Sequence, residues 1–293
     1  MDNIYDIAMS MPRFKKIEVS SVLFTEYKCM DDRSIFAAWA HVNYFVCVFS
    51  GQMEWHTTEN NYLLRSNDAI FVKRGANIIH KSFEEDFCAL MIFIPDEFIR
   101  DLIVQAPIKV QSTNEIATES VIPINSDKIL GAYFSSLYAY FFSESQPLPY
   151  IMEIKFKELV YNLMASHKNS GISSYFKEVA QNRSSSIKYI MEANFTYNLS
   201  LGEFARLAHR SLSAFKRDFF DTYRLTPGRW LTDKRLQYSK KLLETTDKKI
   251  FEVAFESGFE NPSHFTRAFR TKYGLTPLDF KKHSDTRLMT LDV

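Results

Sequence analysis

The stretch Ser263-His264-Phe265-Thr266-Arg267-Ala268-Phe269 decides how this chain is read, because it has an echo 50 residues upstream. There, Ser213-Ala214-Phe215-Lys216-Arg217-Asp218-Phe219 repeats the same frame. Tyr223-Arg224-Leu225-Thr226-Pro227 likewise recurs as Tyr273-Gly274-Leu275-Thr276-Pro277. Further upstream, Phe204-Ala205 matches Val253-Ala254, with one extra residue in the second turn. A repeat in register over a whole supersecondary unit predicts two copies of one local fold.

Each copy reads as a short helix, a tight turn and a longer helix. Phe215, Phe219 and Tyr223 fall at i, i+4 and i+8, the spacing of a buried stripe. Phe265, Phe269 and Tyr273 do the same. Ala205 and Ala254 let two helices cross closely, and Gly258 suits a turn with positive φ. This is a helix-turn-helix pattern, whose second helix offers its outer residues to base edges and phosphates. The expected DNA-facing residues are Ser211, Ser213, Lys216 and Arg217 in the first unit. In the second they are Asn261, Ser263, His264, Thr266, Arg267 and Arg270. For Arg267 the alternatives are a guanine edge, a phosphate, or a surface salt bridge. A connecting helix from Pro227 to Leu243 is about 26 Å long at 1.5 Å per residue. That is near the roughly 34 Å between adjacent major-groove faces.

Charge agrees. The 293 residues have a formal net charge of +1, but residues 184–293 hold 19 Lys and Arg against 13 Asp and Glu. The rest holds 17 against 22, so a basic C-terminal third follows an acidic remainder. Such an asymmetry points the C-terminal third at a polyanion. With 46% apolar and 24% charged residues the chain is an ordinary globular one, long enough for two domains. It has no apolar run of membrane-spanning length and no signal-peptide pattern at its start. The three cysteines, Cys29, Cys47 and Cys88, sit among apolar neighbours and read as buried thiols. The expected location is the cytoplasm.

The signature Ile250-Phe251-Glu252-Val253-Ala254 through Gly258-Phe259, Ser263-His264-Phe265, Arg267, Phe269 and Gly274-Leu275-Thr276-Pro277 resembles the AraC/XylS family of bacterial transcription regulators. The likeness covers the C-terminal hundred residues. Arg235-Leu236 and Leu242-Leu243 also stand where the family's connecting helix has them. Two departures fall in the first unit. Arg224 replaces the usual glycine at a position expected to be left-handed, and Ser213 and Ala214 are small where relatives often carry larger contact residues. The first unit is therefore expected to read bases less well than the second.

Upstream, Tyr44–Phe49, Met53–Thr57, Tyr62–Arg65, Ala69–Val72, Ile78–His80 and Phe87–Ile94 are short β-rich runs separated by turn signals. They predict an antiparallel β-barrel or sandwich, and residues 15–95 resemble, more loosely, the cupin-like sensing barrel of many AraC relatives. The places of a metal cupin's ligands hold Ala37, Trp39, Tyr44 and Ile78, so no metal and no cofactor are expected. The seven scattered His and the absence of phosphate-loop or nucleophile motifs predict no catalytic site. The interior is read as a solid core, a small-molecule pocket involving Trp39, Phe49, Trp55, Phe71 and His80, or a barrel whose surface binds a regulatory protein.

The expected organisation is α+β. An N-terminal cupin-like antiparallel β-barrel with a helical hairpin at 126–168 makes a domain of residues 1–168. A polar linker spans 169–185, and an all-α domain with two helix-turn-helix units spans 186–284. The hairpin is either a core face against the barrel or the seam of a homodimer. The predicted function is a sequence-specific DNA-binding transcription regulator. Its partners are double-stranded DNA, a small-molecule or protein effector, a second copy and, for an activator, RNA polymerase. The competing class is a metal-free cupin binding module or an enzyme with a helical appendage.

Overall fold

The computed structural model describes residues 1–28, 35–57, 60–81, 87–105, 119–181 and 186–289. These divide into two compact units, Met1–Ala193 and Asn194–Val293.

The first unit runs β1 (Asp2–Asn3), α1 (Ile4–Ser10), β2 (Lys16–Val19), β3 (Val22–Lys28), β4 (Ile35–Ala40), β5 (Asn43–Ser50), β6 (Met53–His56), β7 (Asn61–Leu64), β8 (Ala69–Val72), β9 (Gly75–Lys81) and β10 (Cys88–Ile94). Then come α2 (Asp96–Gln105), β11 (Val121–Ile124), α3 (Lys128–Ala139), α4 (Pro149–Ala165), α5 (Ser170–Ala180) and α6 (Ile187–Asn194).

The strands form two sheets, ordered β1-β4-β9-β6-β7 and β11-β8-β5-β10-β3-β2. Of the barrel or sandwich expected, the described strands form two sheets with no closed barrel among them, and the short β1–β4 pair is parallel rather than antiparallel.

The reason lies in the strand sequences. All seven residues of β10 are buried. Ala89, Met91 and Phe93 join one core cluster with Tyr44, Val46 and Val48 of β5 and Trp55 and Ile79 of the other sheet. Leu90, Ile92 and Ile94 join a second cluster with Phe45, Phe71 and residues of α3, α4 and α5. A strand apolar on both sides needs a layer on each. The six-stranded sheet is therefore the middle of three layers. Pro123 in β11 is tolerated because β11 is an edge strand.

The stretch read as a hairpin holds α3 and α4. Leu130, Phe134, Leu137 and Phe141 are buried in the sheet–helix core, as are Met152, Phe156, Leu159 and Leu163. The stretch read as a linker is mostly α5, where Ile172, Tyr175, Phe176 and Val179 are buried at helical spacing. Serines dilute that stripe in sequence and made it look polar. Residues 182–185 of the expected linker, and Cys29, lie outside the described residues.

A polar network ties α2 and α5 to this core. Asp96 pairs with the Arg74 guanidinium and accepts from Asn43 Nδ2 at 2.7 Å. Tyr175 donates to Asn43 Oδ1 at 2.7 Å. The buried Lys73 lies 4.7 Å from the Tyr175 ring, and burial pulls its ammonium down to about 8 against the opposing pull of Glu178.

The second unit contains α7 (Leu201–Leu207), α8 (Leu212–Tyr223), α9 (Pro227–Thr245), α10 (Ile250–Glu256), α11 (Pro262–Tyr273) and α12 (Pro277–Met289). No helix among the described residues is long and apolar enough to cross a membrane.

Candidate nucleic-acid interface

The two repeats fold alike down to their backbone hydrogen bonds. After α7, Arg210 N–H donates to Ala205 O at 2.9 Å; after α10, Phe259 N–H donates to Ala254 O at 2.9 Å. Each turn has a left-handed residue, His209 (φ 52°) in the first and Gly258 (φ 87°) in the second. At Gly258 a Cβ would stand 2.7 Å from Thr196 O and 2.8 Å from Arg235 Nε. The Arg235 guanidinium donates to Phe195 O and Tyr197 O at 2.7 and 2.9 Å, fixing the approach to α7. Here only glycine fits on both steric and dihedral grounds.

Capping starts each second helix. Ser211 Oγ accepts from Ala214 N–H at 3.3 Å. Asn261 Oδ1 accepts from Ser263 and His264 N–H at 2.8 and 3.3 Å. Both residues are N-caps, a role worth about 1 kcal/mol. They shape the helix start whatever else they touch. Phe215 and Phe219, and Phe265 and Phe269, are fully buried as the repeat predicts. Both helices end left-handed, at Arg224 (φ 53°) and Gly274 (φ 79°), each N–H donating back at 2.8 Å.

The outward residues fall as expected, with one division. On α11, Ser263, His264, Arg267 and Arg270 are exposed and Thr266 is half-buried, its hydroxyl donating to Pro262 O at 2.9 Å. Ser263, Thr266, Arg267 and Arg270 line one open concavity of about 460 Å³. Among the described residues neither Arg267 nor Arg270 makes an ion pair. On α8, Ser213, Lys216 and Arg217 are exposed, but Arg217 Nε stands 3.3 Å from Asp218 Oδ1. Arg210 Nε takes the other oxygen at 3.0 Å. These two guanidiniums hold the Asp218 carboxyl below the usual carboxylate range, Arg210 most strongly. Where α8 has Asp218, α11 has Ala268.

Sequence reasoning missed a groove of about 780 Å³ beside α11, lined by Arg229, Thr232 and Asp233 of α9 with His264, Arg267 and Thr271. The signal was present in α9, where Arg229 and Asp233 fall at i, i+4. Lys272 closes one wall by pairing with Asp233.

The five residues named for an effector pocket do not converge. Trp55 lies in the core between the sheets, while Phe71 lies between the middle sheet and the helices. Phe49 stacks on Tyr138 with centroids 4.0 Å apart, on the helix side. Trp39 is buried near His41. His80 lies in β9, and its side chain is outside the described residues. The cavity beside Trp55 is only about 10 Å³, room for one water at most. Among the described residues no group of three or more His, Cys, Asp or Glu is placed to hold a metal ion.

Two helix-turn-helix units joined by one helix, following a sheet-rich unit in the chain, define a DNA-binding transcription regulator. Residues 204–283 match the family described as a helix-turn-helix domain, and residues 43–175 match the ExsA N-terminal regulatory domain. The chain belongs to the AraC family of transcription regulators. It is 25% identical over 236 residues to the virulence regulon transcriptional activator VirF of Yersinia enterocolitica, covering 78% of this chain and 85% of that one. The thermoregulatory protein LcrF of Yersinia pestis matches to the same extent. The HTH-type transcriptional regulator ExsA of Pseudomonas aeruginosa is 21% identical over 240 residues, with 81% and 85% covered.

Proposed function

We propose that this regulator activates transcription by placing α8 and α11 in successive major grooves and bringing RNA polymerase to the promoter. It acts by binding, not by catalysis. The open cationic face of α11 carries this reading: Arg267 and Arg270 stand free of carboxylates beside a capped helix start. Such a face meets phosphate oxygens and guanine edges. Ser213, Lys216 and Arg217 on α8, and Ser263, His264 and Thr266 on α11, are the other proposed contacts.

The N-terminal unit supplies regulation. The cavity beside Trp55, at about 10 Å³, has no room for a small molecule, which supports a protein effector. The outer face of α4 carries Tyr150, Ile151 and Ile154, all exposed, beside Leu148; this supports a homodimer seam there, while the opposite face of the same helix is core. The test is binding of the full chain to a duplex enriched from a random-sequence library, measured at several salt concentrations. Replacing both Arg267 and Arg270 by Ala should leave the melting curve unchanged and lower the salt slope by about one for each phosphate that an arginine had neutralised. An unchanged affinity and slope would remove α11 from the interface.

A further inference from the structure

The 50-residue repeat allows one DNA-facing helix to be compared with the other, position by position. On α11, Ser263, Thr266, Arg267 and Arg270 share one open face. The same positions on α8 hold Ser213, Lys216, Arg217 and Phe220. Three of the four keep a polar or basic character. The fourth does not, because a phenyl ring stands where the second helix has a guanidinium.

Phe220 is 48% exposed, although its neighbours Phe215 and Phe219 are fully buried. It is therefore surplus to the helical core. A ring on a face turned to DNA gains nothing from phosphate oxygens. The one apolar group that a base pair presents in the major groove is the 5-methyl of thymine. Two features of α8 favour that contact. Ser213 and Ala214 are small, so the first half of the helix can approach the base edges closely. The helix is also electrically neutral: Lys216 and Arg217 are offset by Asp218 and Asp221, with Asp218 held between Arg210 and Arg217. Phosphate attraction is then weak, and short-range packing has a larger say in where α8 binds.

We propose that Phe220 is a specificity-determining residue that packs on a thymine methyl in the half-site met by α8. This rests on the reading of α8 as a major-groove helix. Two duplex families test it, both derived from the sequence that the full-length wild type enriches from a random library. In one, each thymine is replaced singly by uracil, which removes the methyl and nothing else. The other is unmodified. The half-site of α8 is the one whose hydroxyl-radical footprint survives Arg267→Ala.

One uracil in that half-site should cost the wild type about fourfold in affinity, the worth of one methyl-sized group withdrawn from water. Phe220→Ala should bind the unmodified site about as weakly and be indifferent to that uracil. Phe220→Leu, which keeps an apolar contact, should recover part of the methyl dependence, and it serves should the alanine variant melt early. The proposal is overturned if the wild type tolerates every uracil in the half-site. It is equally overturned if Phe220→Ala keeps the wild-type sensitivity, which would make the ring a docking point for protein. Enrichment of no sequence by the wild type would instead strike down the major-groove reading itself, and this proposal with it.

Discussion

The two helix-turn-helix units reach the same backbone by different means. Where the second uses Gly258 and Gly274 for its left-handed positions, the first uses His209 and Arg224. Where α11 carries Arg267, Arg270 and Lys272 with no acid, α8 balances Lys216 and Arg217 with Asp218 and Asp221. A left-handed L-residue costs about 1–2 kcal/mol, so the first unit holds its shape against strain. The second is built without that strain and with an open cationic face. One scaffold, duplicated, thus supports a strong electrostatic reader and a weaker, more neutral one.

Substitutions can break this comparison. The largest effect should come from Gly258→Ala. It combines a positive φ with a Cβ against Thr196 O and the Arg235 guanidinium, and overpacking of this kind costs about 1–3 kcal/mol or more. Chemical denaturation should show the second unit losing stability by at least that much. A loss under about 0.5 kcal/mol would mean that the turn relaxes freely and that glycine is incidental there.

Next in size are the paired arginines. Arg267→Ala should leave folding intact and cost about 1–3 kcal/mol of discrimination at one base pair if it reads a base. If it meets a phosphate, all sequences should weaken alike and the salt slope should fall by about one. Arg217→Ala should cost less than Arg267→Ala, because Asp218 already engages its guanidinium. Equal losses on titration of enriched and scrambled duplexes would erase the proposed asymmetry.

Removing Asp218 sharpens the same point. Asp218→Ala copies Ala268 and takes the carboxylate away from Arg217, so affinity for scrambled DNA should rise and its salt dependence should steepen. The reciprocal Ala268→Asp should do the opposite through α11. The smallest effect is expected for Arg224→Gly, which relieves the left-handed strain but adds chain entropy to the unfolded state. A net gain of about 0.5–1 kcal/mol should appear in denaturation curves, whereas Gly274→Arg should lose a similar amount.

Much of the C-terminal unit is legible in the sequence because the repeat fixes register. Phe215 and Phe265 mark the buried stripe, Pro227 and Pro277 mark helix starts, and Gly258 marks a turn that admits no side chain. The N-terminal unit was less legible. The run at 88–94 is apolar on both faces, and such a run states that layers lie above and below it but not whether the sheet closes. The helix at 170–180 hid behind Ser170, Ser173 and Ser174, which are small enough to pack while reading as polar. The aromatics Trp55 and Phe71 look alike in composition, yet they belong to different sheets and pack on opposite faces of the six-stranded one. Phe220 carries no such mark, since an exposed ring in a Phe-rich helix is indistinguishable from core until burial is known.

Hydroxyl-radical footprinting of the full-length protein on its enriched duplex tests the two-reader account most directly. The connecting helix α9 has 19 residues, about 28 Å, close to one turn of B-DNA. Two protected patches on one face of the duplex, about one helical turn apart, are predicted. Arg267→Ala should weaken one patch far more than Arg217→Ala weakens the other. A single patch, unaffected by either substitution in α8 or α11, would contradict it.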